Sequence, residues 1–407
     1  MAPLPPLAPP SAAHAPAPRP RVVRFRHPAY PNSTPDLLVL MAADGGDNNG
    51  GLDFDVALTS CCIITNTPWD DGYLALKATA PASVGAAGVE RVTEFQRVER
   101  PHDGLLRGTD YFFCVDGREP SSDKYPVVPS LQHWRFPHGD LPPTWTALQL
   151  SDHTAQLPTV KGLAAARARD VTCRISAYMD AVEIAHLVPA AERLWFVSNG
   201  MQRYCWRPLE ASAINDENNL IVLRRDIHYL FDSRRFTLIP KRFITDPVGS
   251  LQLVSHVLIP SGSPELVGLY HNRSPQSIRG ISLECLFARF AWSLFTDEHV
   301  PFFGSGLKYA VRLWSEEKNE AEIQTLRGHD IGSRTQVFDS TTRSQSRSIS
   351  PRKRPRPTQG NDSLANGGGG YWSDDEEEME DAMKEKDYCD AQDQPPRGRT
   401  MKRSGWG

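Results

Sequence analysis

The chain has 407 residues, 40% of them apolar, and its 45 Lys and Arg against 49 Asp and Glu leave a formal net charge of −4. That length suits two or three domains, the apolar content is enough to build cores in part of the chain, and the sign of the charge says little about partners. No apolar run is long enough to span a bilayer, and prolines interrupt the N-terminal stretch where a secretory signal needs unbroken apolar residues. Seven cysteines with no CxxC pair do not make a disulfide framework, so a soluble, intracellular protein without a membrane partner is expected.

Residues 1–20 are mostly Pro and Ala with no charge before Arg19, which predicts a disordered leader. Residues 21–135 alternate short apolar runs with Gly, Pro, Asn and Asp turns, the pattern of a β-rich domain. Within it Cys61 and Cys62 are expected in a β-rich apolar run as small buried hydrophobes, and residues 41–51, dense in turn formers, are a loop between two strands. The prolines of residues 136–162 mark a linker.

Residues 163–312 carry a different pattern. A short helical run of Ala and Arg opens it, Val171-Thr172-Cys173-Arg174-Ile175-Ser176 reads as a strand, and a second apolar piece covers 182–188. Residues 190–199 have helical spacing, with Gly200 where a helix C-cap would stand, and read as an insertion. Residues 218–223 form the next strand and 225–231 one or two turns of helix, with Asp226 near its start to meet the amide dipole. Residues 236–240 and 251–258 read as a hairpin. A helix opening at Pro275 then gathers Ile281, Leu283, Leu286, Phe287, Phe290, Ala291 and Leu294 on one side, and should close the domain.

Beyond about Ser315 no segment has the apolar periodicity to fold alone, so 313–407 is expected to be a disordered charged tail. It holds the basic cluster Arg352, Lys353, Arg354 and Arg356, followed by a Gly run and an acidic block. The cluster has the composition of a nuclear localisation signal, which predicts a nuclear protein that engages an import receptor and is otherwise cytoplasmic.

The candidate site lies between these elements. His186 ends an apolar piece just before Pro189, Asn219 stands nine residues before His228, and Asp232 is one turn beyond His228 on the same helix face. Imidazole titrates near working pH and serves as a base or a metal ligand. An imidazole and carboxylate set with open positions suits Mg2+ or Mn2+, although zinc and nickel also bind such sites. Arg224, Arg225, Arg234 and Arg235 can contact phosphates without reading bases, or can be solvated surface.

Together with Cys173-Arg174-Ile175-Ser176 and Ala185-His186-Leu187-Val188-Pro189, these motifs resemble the HNH, or ββα-metal, endonuclease domain proteins common in filamentous fungi, over roughly residues 170–245. Thr65-Asn66-Thr67-Pro68-Trp69-Asp70-Asp71-Gly72-Tyr73 also looks like the N-terminal part of those proteins. The fold class implied is α+β: an N-terminal β-rich domain, then an HNH ββα-metal domain with flanking strands and a closing helix, between disordered N- and C-terminal tails. The activity implied is divalent-metal-dependent hydrolysis of DNA phosphodiester bonds with low sequence specificity, with attack on RNA left open. His186 is then the general base, Asn219 the residue that orients its loop, His228 the metal ligand and Asp232 a second ligand.

Two departures from the family pattern stand out. Ala185 occupies the place of an Asp that binds the ion in many relatives. Cys173 is followed by Ser176, with Arg224 and Ile227 at the places of a later cysteine pair, so no structural zinc is expected, a tetrahedral site needing four donors. The missing acid favours the alternative, a catalytically weak or inactive HNH-fold protein that binds nucleic acid or chromatin.

Overall fold

The structure, a computed structural model, describes residues 21–45, 50–79, 83–85, 88–90, 93–148, 150, 160–208, 212–243, 251–258 and 264–331. The expected leader 1–20 and the basic cluster at 352–356 lie outside the described residues.

Strand β1 (Val22–Arg26) sends Val23 and Phe25 into the core and alternates them with arginines, the period-two pattern of a half-buried strand. It pairs antiparallel with β2 (Leu38–Met41). After β3 (Leu52–Asp53) the chain forms α1 (Phe54–Thr65), a helix where the sequence suggests a β run. Asp53 caps it by accepting from the Val56 N–H at 2.9 Å, Asn66 ends it in the left-handed region at φ 50°, and ten of its residues are buried. Caps at both ends and burial on nearly every side outweigh the modest helix cost of Ile63, Ile64 and Thr65. Cys61 and Cys62 are buried within it.

There follow β4 (Gly72–Thr79), β5 (Ser83–Gly85), β6 (Gly88–Glu90), β7 (Thr93–Arg97), β8 (Leu105–Leu106) and β9 (Asp110–Val115). β9 runs parallel to β1 and antiparallel to β4, giving a five-stranded sheet of order β2-β1-β9-β4-β7. Part of the expected linker is core. The short helix α2 (Pro143–Thr146) buries Trp145, and Phe136 and Leu141 are buried too; just before the linker, Trp134 stacks on Trp195 at 5.8 Å while its carbonyl accepts from the Trp195 indole at 3.0 Å.

The Ala and Arg run is helix α3 (Gly162–Arg169). Residues 171–176 make a turn rather than the expected strand: the Cys173 and Tyr178 backbones bond at 2.8 Å, and Ala177 and Ala181 adopt φ of 63° and 53°. β10 (Val182–His186), the excursion through α4 (Arg193–Ser198), β11 (Leu220–Arg224) and α5 (Arg225–Asp232) follow. β12 (Phe236–Arg242) and β13 (Leu251–Val257) pair antiparallel, the expected hairpin. After α6 (Pro264–Tyr270), helix α7 (Leu283–Leu294) starts later than Pro275, because Gly280 at φ 73° turns the chain and Ser282 supplies the cap, accepting from Cys285 N–H at 3.2 Å. β14 (Lys308–Ser315) and β15 (Glu320–Arg327) form a hairpin where the sequence suggested only tail. Tyr309, Val311 and Leu313 are buried, so packing on the rest of the molecule holds this hairpin.

Helix α7 packs against α1 and β12 in the middle of the core. Its Phe287 ring meets Trp69, Trp134, Phe136 and Trp145 at centroid distances of 5.9, 6.1, 6.0 and 5.0 Å. One buried apolar cluster extends from Val23 to Ile331, through both the N-terminal sheet and the β10–β11–α5 segment. No helix among the described residues is long and apolar enough to cross a membrane.

Candidate metal centre and general base

β10 and β11 are antiparallel, with His186 opposite Leu220 and Glu183 opposite Leu223. Leu220, Ile221, Val222 and Leu223 are all buried, so β11 is anchored on both faces. Helix α5 leaves it directly. Ile227 and Phe231, one turn apart, face the core, which places His228 and Asp232 together on the adjoining, more open face.

His228 lies between two carboxylates. Its Nδ1 is 3.1 Å from Glu183 Oε2 and its Nε2 is 3.1 Å from Asp232 Oδ2. Burial resists charge on the ring, yet the hydrogen bonds and charges of Asp232 and Glu183 outweigh it and raise the imidazole pKa above its ordinary 6.5. Burial also resists ionisation of Asp232, but the His228 bond and the charges of Arg289, His228 and His186 hold its carboxyl below the usual range. For Glu183 the bonds from Arg225 and His228 likewise prevail over burial. His186 is thus close enough to act electrostatically on Asp232, which bonds His228.

This donor set fits a divalent ion. A spacing of 3.1 Å between His228 Nε2 and Asp232 Oδ2 is close to the edge of an octahedron with bonds of about 2.1 Å. Glu183 behind the ring favours the tautomer with Nδ1 protonated and the Nε2 lone pair turned forward, the usual carboxylate–histidine–metal arrangement. Ala185, with no exposed surface, contributes no donor.

Asn219 is buried and its amide clamps the turn after His186. Its Oδ1 accepts from Val188 N–H at 2.8 Å, and its Nδ2 donates to the carbonyls of Val188 at 3.0 Å and Ile214 at 2.8 Å. Its backbone carbonyl accepts from Leu187 N–H at 2.7 Å. His186 itself donates from Nε2 to Asn215 Oδ1 at 2.9 Å. Sequence reasoning missed Asn215, Glu183 and Arg289. Only Glu183 left a signal: strand alternation puts it on the face of Ala185, one pleat away from the missing acid. Asn215 also lines a cleft of about 370 Å³ shared with Lys161, Gly162, Arg207 and Glu217.

The four arginines are not equivalent. Arg225 is 78% exposed and reaches Glu183, while Arg224 forms a two-pronged pair with Asp226 at 2.6 and 2.7 Å. Arg234 lies over the Trp292 ring at 3.8 Å and donates to the Phe295 carbonyl, and Arg235 is half-buried with its backbone bonded to Leu230 and Leu258. Arg225 alone is exposed; Arg224, which also lies over the Tyr178 ring at 5.1 Å, is partly buried like Arg234 and Arg235.

Among the described residues, the group whose three donor atoms all lie within 4.8 Å of one another is elsewhere: Asp44, His256 and His271, a set that suits a metal. Its cation is already supplied. Asp44 Oδ1 accepts from the buried Lys241 ammonium, from His271 Nε2 at 2.9 Å and from Asn272 Nδ2 at 2.8 Å. Cys173 is a buried thiol that accepts from Ser176 N–H at 3.4 Å.

No curated protein and no solved structure gives a match to the chain. Residues 171–239 match the family model HNH_2, described as HNH endonuclease, and the matched segment carries β10, β11 and α5, with His186, Asn219, His228 and Asp232 on or beside them.

Proposed function

We propose that this protein is a divalent-metal-dependent endonuclease that hydrolyses DNA phosphodiester bonds with low sequence specificity. The observation that carries this reading is the pairing of His228 Nε2 with Asp232 Oδ2 at 3.1 Å beside the strand end that bears His186, inside an HNH-family segment. A neutral His186 that donates through Nε2 carries its basic lone pair on Nδ1, suited to take a proton from the water that attacks phosphorus. Asn219 fixes the backbone that follows this base. His228 and Asp232 would hold Mg2+ or Mn2+, which when bound supplies positive charge to the scissile phosphate and the leaving oxygen. Arg225, the exposed one of the four arginines, fits backbone phosphate contacts better than Arg224, Arg234 and Arg235 do.

Purified protein is expected to nick plasmid DNA with Mg2+ or Mn2+, to stop with chelator, and to lose cutting in His186→Ala with the fold retained. Cutting by that variant would remove His186 as the base. The fully buried Ala185 favours the second reading, a nucleic-acid-binding HNH fold without cleavage. DNA binding that weakens with salt while plasmid stays intact would select it. We assign the cluster at 352–356 to nuclear import, and an unchanged cellular distribution after deletion of residues 351–357 would reject that assignment.

A further inference from the structure

Arginine is almost never fully buried unless it is paired, because removing its charge from water is costly. Arg289, on the apolar helix α7, has no exposed surface, and burial pulls its pKa down to about 9. Its guanidinium joins two separate pieces of the site. Nη1 donates to the carbonyls of Leu187 at 3.3 Å and His186 at 3.5 Å, at the end of β10. Nη2 donates to the Phe231 carbonyl in the last turn of α5, which also accepts from Arg234 N–H at 2.9 Å, and Nη1 lies 3.7 Å from Asp232 Oδ1. The rings of Phe231 and Trp292 pack on the guanidinium at 3.5 and 4.5 Å.

We propose that Arg289 is a positioning residue of the phosphodiesterase site, setting the separation between the backbone of the general base and the metal-holding end of α5. What it positions rests on the nuclease reading above; the clamp itself does not. Helix α7 lies outside residues 171–239, so the catalytic unit extends beyond the family match. The planar fork of arginine is what allows one side chain to bond carbonyls on two elements at once, and lysine, a point charge on a flexible stem, cannot hold both in one plane. Misplacement by about 1 Å is enough to cost roughly a hundredfold in rate.

The test uses the full chain with Arg289→Lys and Arg289→Met, and Phe113→Leu in the N-terminal sheet as a control for general destabilisation. Arg289→Lys is expected to keep its far-UV circular dichroism, to lower kcat for plasmid nicking by roughly 10–100-fold, and to leave the KM for DNA within about twofold. It should also shift the His186 and His228 imidazole resonances and weaken Mn2+ binding, none of which Phe113→Leu should do. If Arg289→Met fails to fold, the lysine variant alone decides. If wild-type protein cuts nothing, the nuclease reading falls, while the imidazole resonances still report on the clamp. Resonances unmoved in Arg289→Lys, with Mn2+ affinity and any cutting as in wild type, would overturn the proposal.

Discussion

Glu183 bonds His228 at 3.1 Å from the strand face on which Ala185 leaves no carboxylate, so an acid one pleat away takes the side of the imidazole opposite Asp232. The ring is thereby held between two acids, and in the proposed nuclease site Asp232 would share an ion with it.

Glu183→Gln keeps the shape of that partner but removes its charge. Loss of such an orienting carboxylate lowers metal affinity or activity by roughly 10–100-fold. Titration calorimetry with Mn2+ reads this directly. Affinity equal to wild type, with the fold intact, would mean that Glu183 serves only Arg225.

Acidity should act on the same cluster with a defined window. His228 has its pKa raised above 6.5, so its contribution to stability is full below that value and is lost as pH rises through the raised one. Asp232 and Glu183 are lowered from 3.8 and 4.5, so theirs is present above those values and is lost as pH falls through the lowered ones. In metal-free protein, the stability difference between wild type and His228→Asn should therefore be largest between about pH 4.5 and 6.5. If His228 holds the metal as proposed, Mn2+ affinity should climb as pH passes the raised His228 value, since a ligating imidazole must be deprotonated. Urea unfolding and calorimetry across a pH series check both, and a flat difference would contradict the geometry.

Asn219→Ala leaves two polar groups of Val188 and one of Ile214 without the amide that satisfies them. At about 1–3 kcal/mol for each unsatisfied buried group, the expected loss by urea unfolding is at least about 3 kcal/mol. Asn219→Asp retains the acceptor for Val188 N–H but sets a buried carboxylate oxygen against the Val188 and Ile214 carbonyls, so it should unfold at no higher urea concentration than the alanine variant.

The Asp44 cluster is expected to act through stability. Burial opposes ionisation of Asp44, but Lys241 and the His271 bond prevail and hold it well below the usual carboxylate range. Asp44→Ala would strand Lys241, itself 3% exposed, at a cost of about 3–5 kcal/mol. The double variant Asp44→Ala, Lys241→Met should recover most of that loss in urea unfolding. Zinc-dependent stabilisation of wild type, abolished in His256→Ala, would instead identify the cluster as a metal site.

What was legible in the chain was local. The i, i+4 spacing of His228 and Asp232, the polar Asn219 beside an apolar strand, and the Pro after His186 are patterns set within a few residues. The structure puts a strand, a helix and a clamped turn at those places. Helix α1 is not legible locally because its Cys-Ile-Ile-Thr end has β propensity, and only burial on nearly every side selects the helix. The turn at 171–176 escaped for a similar reason: left-handed Ala177 and Ala181 follow from tertiary context, as nothing in an alanine announces a positive φ.

The sequence by itself determined which residues could do chemistry, because donor type and short-range spacing are properties of the covalent chain. Only the tertiary structure decided which side chains support them. Glu183 and Asn215 reach the side chains of the two histidines and Arg289 the His186 carbonyl, the last across a separation of 103 residues. Such contacts depend on how α7 packs in a shared core, a cooperative outcome of burial that no local pattern encodes.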